Sequence, residues 1–321
     1  MTFKQHRFEM LAVIVASIGL TVAALMVTQM LSSVTTPHDC FESSVRGEPL
    51  PVGCDTLEEF NRINYDVAGT VMAAMAVLPW AAGLVIGVVL VGVELDHRTA
   101  SLGWWLARSR RRWLLMRAVP VAMGLALVLA LPAWAAEVLG RTRHGLYDPA
   151  TTTTLDYGLR GYVVVAKGLA AFGIGLFFGA ILGRLLPALI SAGVAAVILI
   201  IATAPIQYPN LPPERIESFE DLDRAGIYYV LHTWTLDRAT GQRVDDDQYT
   251  VWQQEDPERA AADVDGAAFR AWFDERYVSV SAVVTGDRYA FIPAQESLLM
   301  VGLAVALVGA TVVVVERKRV A

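Results

Sequence analysis

The sequence predicts an all-α polytopic membrane protein: six transmembrane helices, with a small α+β extracellular domain between helices 5 and 6. Three observations predict it. Of the 321 residues, 55% are hydrophobic and only 18% charged, with a mean hydropathy of +0.46, far from a soluble composition. Six apolar runs approach or exceed the roughly 20 residues that cross a bilayer. The polar stretch between the last two runs carries strand and helix patterns of its own.

The first run, Met10–Leu31, follows Lys4 and Arg7. Its apolar part exceeds the ~7–15 residues of a signal peptide, and Gln29, Ser32 and Ser33 offer no clear cleavage site, so it reads as a retained helix. A polar outer loop, 32–67, follows and holds the two cysteines, Cys40 and Cys54. Paired, they would close a small loop where disulfides persist; the alternative is two unrelated thiols. The second run, Ala68–Val93, leads into a charged segment, 94–113, with arginines at 108, 110, 111 and 112. The third and fourth runs are Leu114–Ala136 and Gly161–Leu182, the fifth Leu185–Ile206, and the sixth Gln295–Val315, before a basic tail. The chain thus divides into 1–206 (five helices), 207–291 (the polar domain) and 292–321 (the last helix and tail).

Orientation follows from the excess of Lys and Arg on the cytoplasmic side. With the N-terminus inside, the inner segments hold 12 Lys and Arg and the short outer ones 6. Both termini of a multi-pass membrane protein then face the cytoplasm. The long polar segment is left out of that comparison because long loops translocate regardless of charge.

That segment, Gln207–Phe291, sets eight arginines against 17 acidic residues, a net of −9. Tyr228–Leu236 and Gln248–Gln253 are rich in β-formers, with Asp237–Asp247 read as a hairpin loop. Pro257–Tyr277 has an amphipathic helical pattern, and Tyr277–Val284 reads as a further strand. Within the spans, Gly83 and Gly87, and Gly175, Gly179 and Gly183, recur every four residues. Small residues at this spacing let helices approach closely; the functional reading is a subunit or gate interface, the plainer one ordinary bundle packing.

Several chemistries are missing. Lysine occurs only at 4, 167 and 318, and none follows a glycine, so the chain has no P-loop. The five histidines are scattered without metal-ligand spacing, and no cofactor is expected on this chain. Adjacent Asp96 and His97 point apart on a helix, so they are read as solvated charges. No Gly-x-Ser-x-Gly elbow occurs. Lys167 and Glu296 lie near the outer ends of their helices, and no ionisable residue falls near a predicted midplane, which argues against ion-coupled transport. The arginines, flanked by Trp104, Trp105 and Trp113, fit a membrane interface rather than a nucleic-acid patch.

Leu78–Gly83, Gly87, Val93-Glu94-Leu95-Asp96, Thr99, Leu102, Trp104 and Ser109-Arg110-Arg111-Arg112-Trp113 together form a pattern. It resembles the second span and following cytoplasmic loop of ABC type-2 permeases, in particular the actinobacterial branch. A cysteine-bearing outer loop, a large loop before the last span, and Gln295-Glu296 opening that span are similar too. The chain departs from the pattern at Arg98, where the family has glycine, at Ala107-Arg108, where a more polar pair is common, and at Val89, which replaces a frequent proline.

The resemblance implies the membrane-spanning permease subunit of an exporting ABC transporter. A separate ABC ATPase subunit would dock on 94–113, through Glu94, Arg98, Thr99, Trp104 and Arg108 to Trp113. Two permeases, alike or different, would pair in the bilayer. The residues alone leave other readings open: Arg108–Arg112 as a plain headgroup anchor, a non-transporting sensor or immunity protein with a ligand-binding outer domain, or an ion-coupled secondary transporter.

Overall fold

The computed structural model describes residues 7–34, 40, 52–96, 109–144, 158–159, 161–203, 214–216, 228–244, 248–258, 267–285 and 291–317. In chain order, α1 (Arg7–Ser33) is followed by α2 (Thr56–Arg62), a π-helical turn (Ile63–Val67) and α3 (Ala68–Asp96). Then come α4 (Arg110–His144), α5 (Tyr162–Leu182) and α6 (Leu185–Thr203). Next are β1 (Glu214–Ile216), β2 (Tyr228–Asp237), β3 (Arg243–Val244), α7 (Gln248–Glu255), α8 (Ala267–Arg276), β4 (Tyr277–Thr285) and α9 (Phe291–Arg317). Two compact units result: Met1–Gln207 with Phe291–Ala321, and Tyr208–Ala290.

In the first unit, six helical bodies among the described residues are long and apolar enough to cross a membrane: α1, Thr56–Asp96, α4, α5, α6 and α9. Helices suit that role because every backbone polar group is satisfied within the segment. Their burial ranks them. The most apolar stretch of α5 is 67% buried and that of Thr56–Asp96 56%, against 17% for α1 and α6. The α3–α5 pair is therefore the centre of the bundle, and α1 and α6 turn most of their apolar surface outward.

The loop expected over 32–67 ends instead in helix. Leu57, Phe60 and Ile63, three residues apart, share a face and are buried with Cys40, Cys54, Leu31 of α1 and Leu139 of α4. This apolar stripe extends the span backwards, so Thr56–Asp96 is one helical body of 41 residues. Cys40 and Cys54 are joined by a disulfide, with Cα atoms 5.6 Å apart. The π-helical turn buries Asn64, whose Oδ1 accepts a 2.8 Å hydrogen bond from Nε of buried Arg143 on α4. Helix α4 overruns its apolar core, Leu114–Ala136, at both ends. An apolar run stops at its first charges, but the helix carries those charges into the polar zone. Ser109 caps its start: its Oγ accepts the Arg112 N–H at 3.2 Å and its carbonyl the Trp113 N–H at 3.0 Å.

The second unit is α+β. Its four-stranded antiparallel sheet runs β1-β4-β2-β3. Strands β2 and β4 pair from Tyr228↔Thr285 to Asp237↔Tyr277, with a bulge between Val230 and His232. Gln248–Gln253, read from composition as a strand, is the helix α7. Tyr249 and Trp252 fall three apart on one helical face and meet Phe269 of α8 at 5.2 and 5.3 Å between ring centroids. Trp252 is buried there and Tyr249 stays exposed; packing both rings on one partner outweighs their β-preference. Of the helix expected over Pro257–Tyr277, Pro257, Glu258 and Ala267–Arg276 are helical; 259–266 lie outside the described residues, and Tyr277 already belongs to β4. The hairpin loop is shorter than Asp237–Asp247, because Arg243 and Val244 already pair with Leu236 and Thr235. Gly241, at φ +67°, supplies the left-handed residue of that turn.

Candidate functional site

The segment singled out by sequence, 94–113, joins α3 to α4. Arg98, Thr99, Trp104 and Arg108 lie outside the described residues. Glu94, Ser109, Arg110, Arg111, Arg112 and Trp113 lie within them and frame the segment from both sides.

Glu94, two residues before the end of α3, is 3% exposed and forms a charge-assisted hydrogen bond with Nη1 of Arg117 on α4. A buried carboxylate needs such a partner, because its desolvation is otherwise uncompensated. Arg117 also lies over the indole of Trp113, its Cζ 4.7 Å from the ring centroid. The two are four residues apart on one helix face, which favours the contact. Trp113 is buried with Leu114 and with Val315 of α9, and Met10 of α1 and Leu95 of α3 pack against the same cluster. One residue turns the opposite way: Nη1 of Arg110 donates to the backbone carbonyls of Val315 (3.4 Å) and Glu316 (3.2 Å) at the end of α9. Cations near a helix C-terminus complement its exposed carbonyls. Arg111 and Arg112 are exposed. The departures and arrivals of the α3–α4 connection are thus tied to each other and to α9.

A second feature is a close helix–helix contact in the middle of the bundle. Gly83 and Gly87 of α3 lie against α5, whose Gly175 and Gly179 face back across the seam. A Cβ on Gly83 would reach Ala171 Cβ at 2.7 Å and the Phe172 nitrogen at 2.8 Å; one on Gly179 would meet the Val88 carbonyl oxygen at 3.0 Å. Backbone therefore meets backbone along roughly three turns, from Gly83 to Gly92 of α3 and from Gly168 to Gly179 of α5. Gly168, not singled out by sequence, makes room for α4 instead: a Cβ there would run into Leu129 Cδ1 of α4, while the Pro79 carbonyl oxygen of α3 would stand at an ordinary contact distance of 3.5 Å. Gly183 departs from the expected packing role. It ends α5 at φ +60°, with its N–H bonded to the Gly179 carbonyl at 3.0 Å. A left-handed residue is what a helix C-terminus demands there, so the spacing of four from Gly179 reflects the cap rather than the seam.

At the other end of the bundle, Nζ of Lys167 on α5 stands 3.3 Å from Oε1 of Glu296 on α9 and donates to the Gly158 carbonyl at 3.1 Å. Glu296 is fully buried. The sequence marks both as charges near helix ends, but 129 positions of chain separate them and no local pattern links them. Among the described residues, no group of three or more His, Cys, Asp or Glu could hold a metal ion.

Six membrane-length helices, with a charge-pinned connection at one end and a glycine seam through the middle, define a polytopic helical membrane protein. Residues 10–206, which span α1 to α6, match the family described as ABC-2 membrane transporter related, and the chain belongs to it. No curated protein matches the chain, and neither does any solved structure.

Proposed function

We propose that the chain is the permease subunit of an ABC exporter in a bacterial plasma membrane, with both termini cytoplasmic. A separate ABC ATPase subunit binds and hydrolyses ATP and docks on 94–113, and a second permease, identical or related, completes the path. The acidic unit then lies outside the cell. Membership of the ABC-2 membrane transporter-related family supports the permease role.

The observation that carries the docking site is the double anchorage of the α3–α4 connection. Glu94 and Arg117 join its two flanks, and Arg110 fastens its exit to α9. A push on residues 97–108 cannot be absorbed by one helix end: it reaches α3, α4 and α9 together. The glycine seam passes movement of α3 to α5, since backbones in direct contact leave no side chains to yield. Energy supplied by a partner fits a chain without a Gly-Lys-Ser/Thr motif.

Affinity purification of the chain co-expressed with an ABC ATPase encoded beside it tests this reading. The expected result is a stable complex that is lost when residues 97–108 are replaced by a Gly/Ser linker of equal length. Retention of the ATPase by the linker variant removes the docking site from this segment. Absence of any ATPase from the wild-type preparation favours the sensor reading.

A further inference from the structure

Between α4 and α9 runs an apolar groove of about 310 Å³, floored by Leu169 and Phe172 of α5. No polar side chain lines it. Its α4 wall is a smooth trough of Ala118, Ala122 and Ala126, four residues apart on one face, and Ala304 stands on the α9 side. Met123 and Val305, 63% and 68% exposed, form the two rims. From Ala118 to Ala126 the trough runs roughly 12 Å at ~1.5 Å per residue, so it is long and narrow.

The groove points at the basic end of the bundle. Seven residues return a helix to nearly the same face. Arg111 and Arg112 therefore stand on the groove side of α4, two turns before Ala118 and Val119, roughly 10 Å along the axis. Both are exposed, and neither guanidinium has a hydrogen-bond or ion-pair partner among the described residues. On the opposite wall, Val315 is seven residues after Val308, and Arg110 closes the two walls there through the Val315 and Glu316 carbonyls. One surface thus offers an apolar trough and, roughly 10 Å along the axis, two exposed cations without a partner among the described residues.

We infer that this groove holds one acyl chain of an anionic phospholipid from the adjoining leaflet, whose phosphate is bound by Arg111 and Arg112. The occupant follows from charge complementarity. A second polypeptide would bring side chains into an apolar trough without answering the two arginines, whereas an anionic phospholipid brings an acyl chain to the trough and a phosphate to the arginines, roughly 10 Å away along the axis. Arg111 and Arg112 also belong to the proposed docking segment, 94–113, but lipid retention is measured on the chain without an ATPase, so either reading can fail without the other.

Native mass spectrometry of the full-length protein in mild detergent, titrated with phosphatidylglycerol or phosphatidylcholine of identical acyl chains, tests this. The wild type is expected to retain phosphatidylglycerol in preference, by roughly 25-fold for two arginines at about fivefold each. R111Q/R112Q is expected to abolish the preference while still binding both lipids. Ala122→Phe, which fills the trough, is expected to weaken both. Met123→Trp covers the mouth from the exposed rim, so it gives the same answer if Ala122→Phe misfolds. Equal retention of the two lipids by the wild type overturns the inference, as does an unchanged preference in R111Q/R112Q. Efficient bis-maleimide dimerisation of Met123→Cys would overturn it as well, by assigning the groove to a second copy of the chain.

Discussion

Replacing Gly87 with alanine adds one methyl group where α3 and α5 touch. That methyl would stand 2.9 Å from the Leu176 nitrogen and 3.1 Å from the Gly175 Cα, and closer still to the Phe172 carbonyl oxygen. Non-bonded atoms settle at ~3.5–4.0 Å, so the helices must part by roughly 0.6 Å or more at this level. The obstructing atoms are backbone and cannot swing aside. Overpacking of this kind costs about 1–3 kcal/mol. Alanine is also the better helix former by up to ~1 kcal/mol, which masks part of the loss. Gly124→Ala supplies the control: its Cβ would meet nothing within 4 Å, so it carries the propensity gain without the clash. In a reversible unfolding titration in mixed micelles, G87A is expected to be less stable than G124A by about 1–3 kcal/mol. G175A, whose Cβ would lie 3.0 Å from the Val88 nitrogen, should behave like G87A. The double variant should lose less than the sum, because one opening of the seam accommodates both methyls. Equal stability of G87A and G124A, within ~0.5 kcal/mol, would refute the claim that α3 and α5 are locked backbone to backbone.

Further outcomes follow from the charged groups. Arg117→Met leaves Glu94 buried without this cation and is expected to destabilise by about 3–5 kcal/mol, whereas the E94Q/R117M pair recovers part of the loss; a double-mutant cycle in the same titration measures the coupling. Lys167→Met strips the cation from fully buried Glu296 and is expected to speed amide exchange in the first turns of α9 while leaving α3 unchanged. Asp237 Oδ1 accepts hydrogen bonds from the Thr240 N–H (2.8 Å), the Thr240 hydroxyl (3.1 Å) and the Ala239 N–H (2.9 Å). The Thr240 backbone bond foremost holds its carboxyl below the ordinary value of 3.8. A lowered carboxylate pKa stabilises the turn above that ordinary value and loses the contribution as pH falls through the lowered one. Protection of the Ala239 and Thr240 amides, which donate to the carboxylate, should therefore persist at pH 5 and fade only below pH 3.8, and Asp237→Ala should remove it at every pH.

How much of this was legible in the chain depends on the range of the interaction. The membrane helices were readable because apolar length alone decides them, as were Tyr228–Asp237 and Tyr277–Thr285, where β-branched and aromatic residues cluster. Gln248–Glu255 was misread because its fate rests on Phe269 and Trp272, which come some 20 residues later and act only once packed. The glycine spacings named the faces of two helices without showing that they face each other. Gly183 shared that spacing for a different reason, a left-handed cap, which spacing cannot distinguish. At the candidate site, Glu94, Ser109 and the arginines stood out locally. Arg117 did not, although its position four residues after Trp113 was a usable signal once Glu94 was known to need a cation. The Lys167–Glu296 pair and the Arg110 bonds to α9 join distant parts of the chain, and no local pattern encodes them.

The central claim is that a separate ATPase meets this chain at 97–108. The most direct measurement places a photo-crosslinking amino acid at Trp104, at Arg108 and, as a control, at Val52, which sits beside the disulfide at the other end of the bundle. Irradiated in membranes with the partner ATPase present, Trp104 and Arg108 are predicted to give an adduct containing the P-loop subunit and Val52 none. An ATPase adduct from Val52, or none from Trp104 and Arg108, would contradict the account.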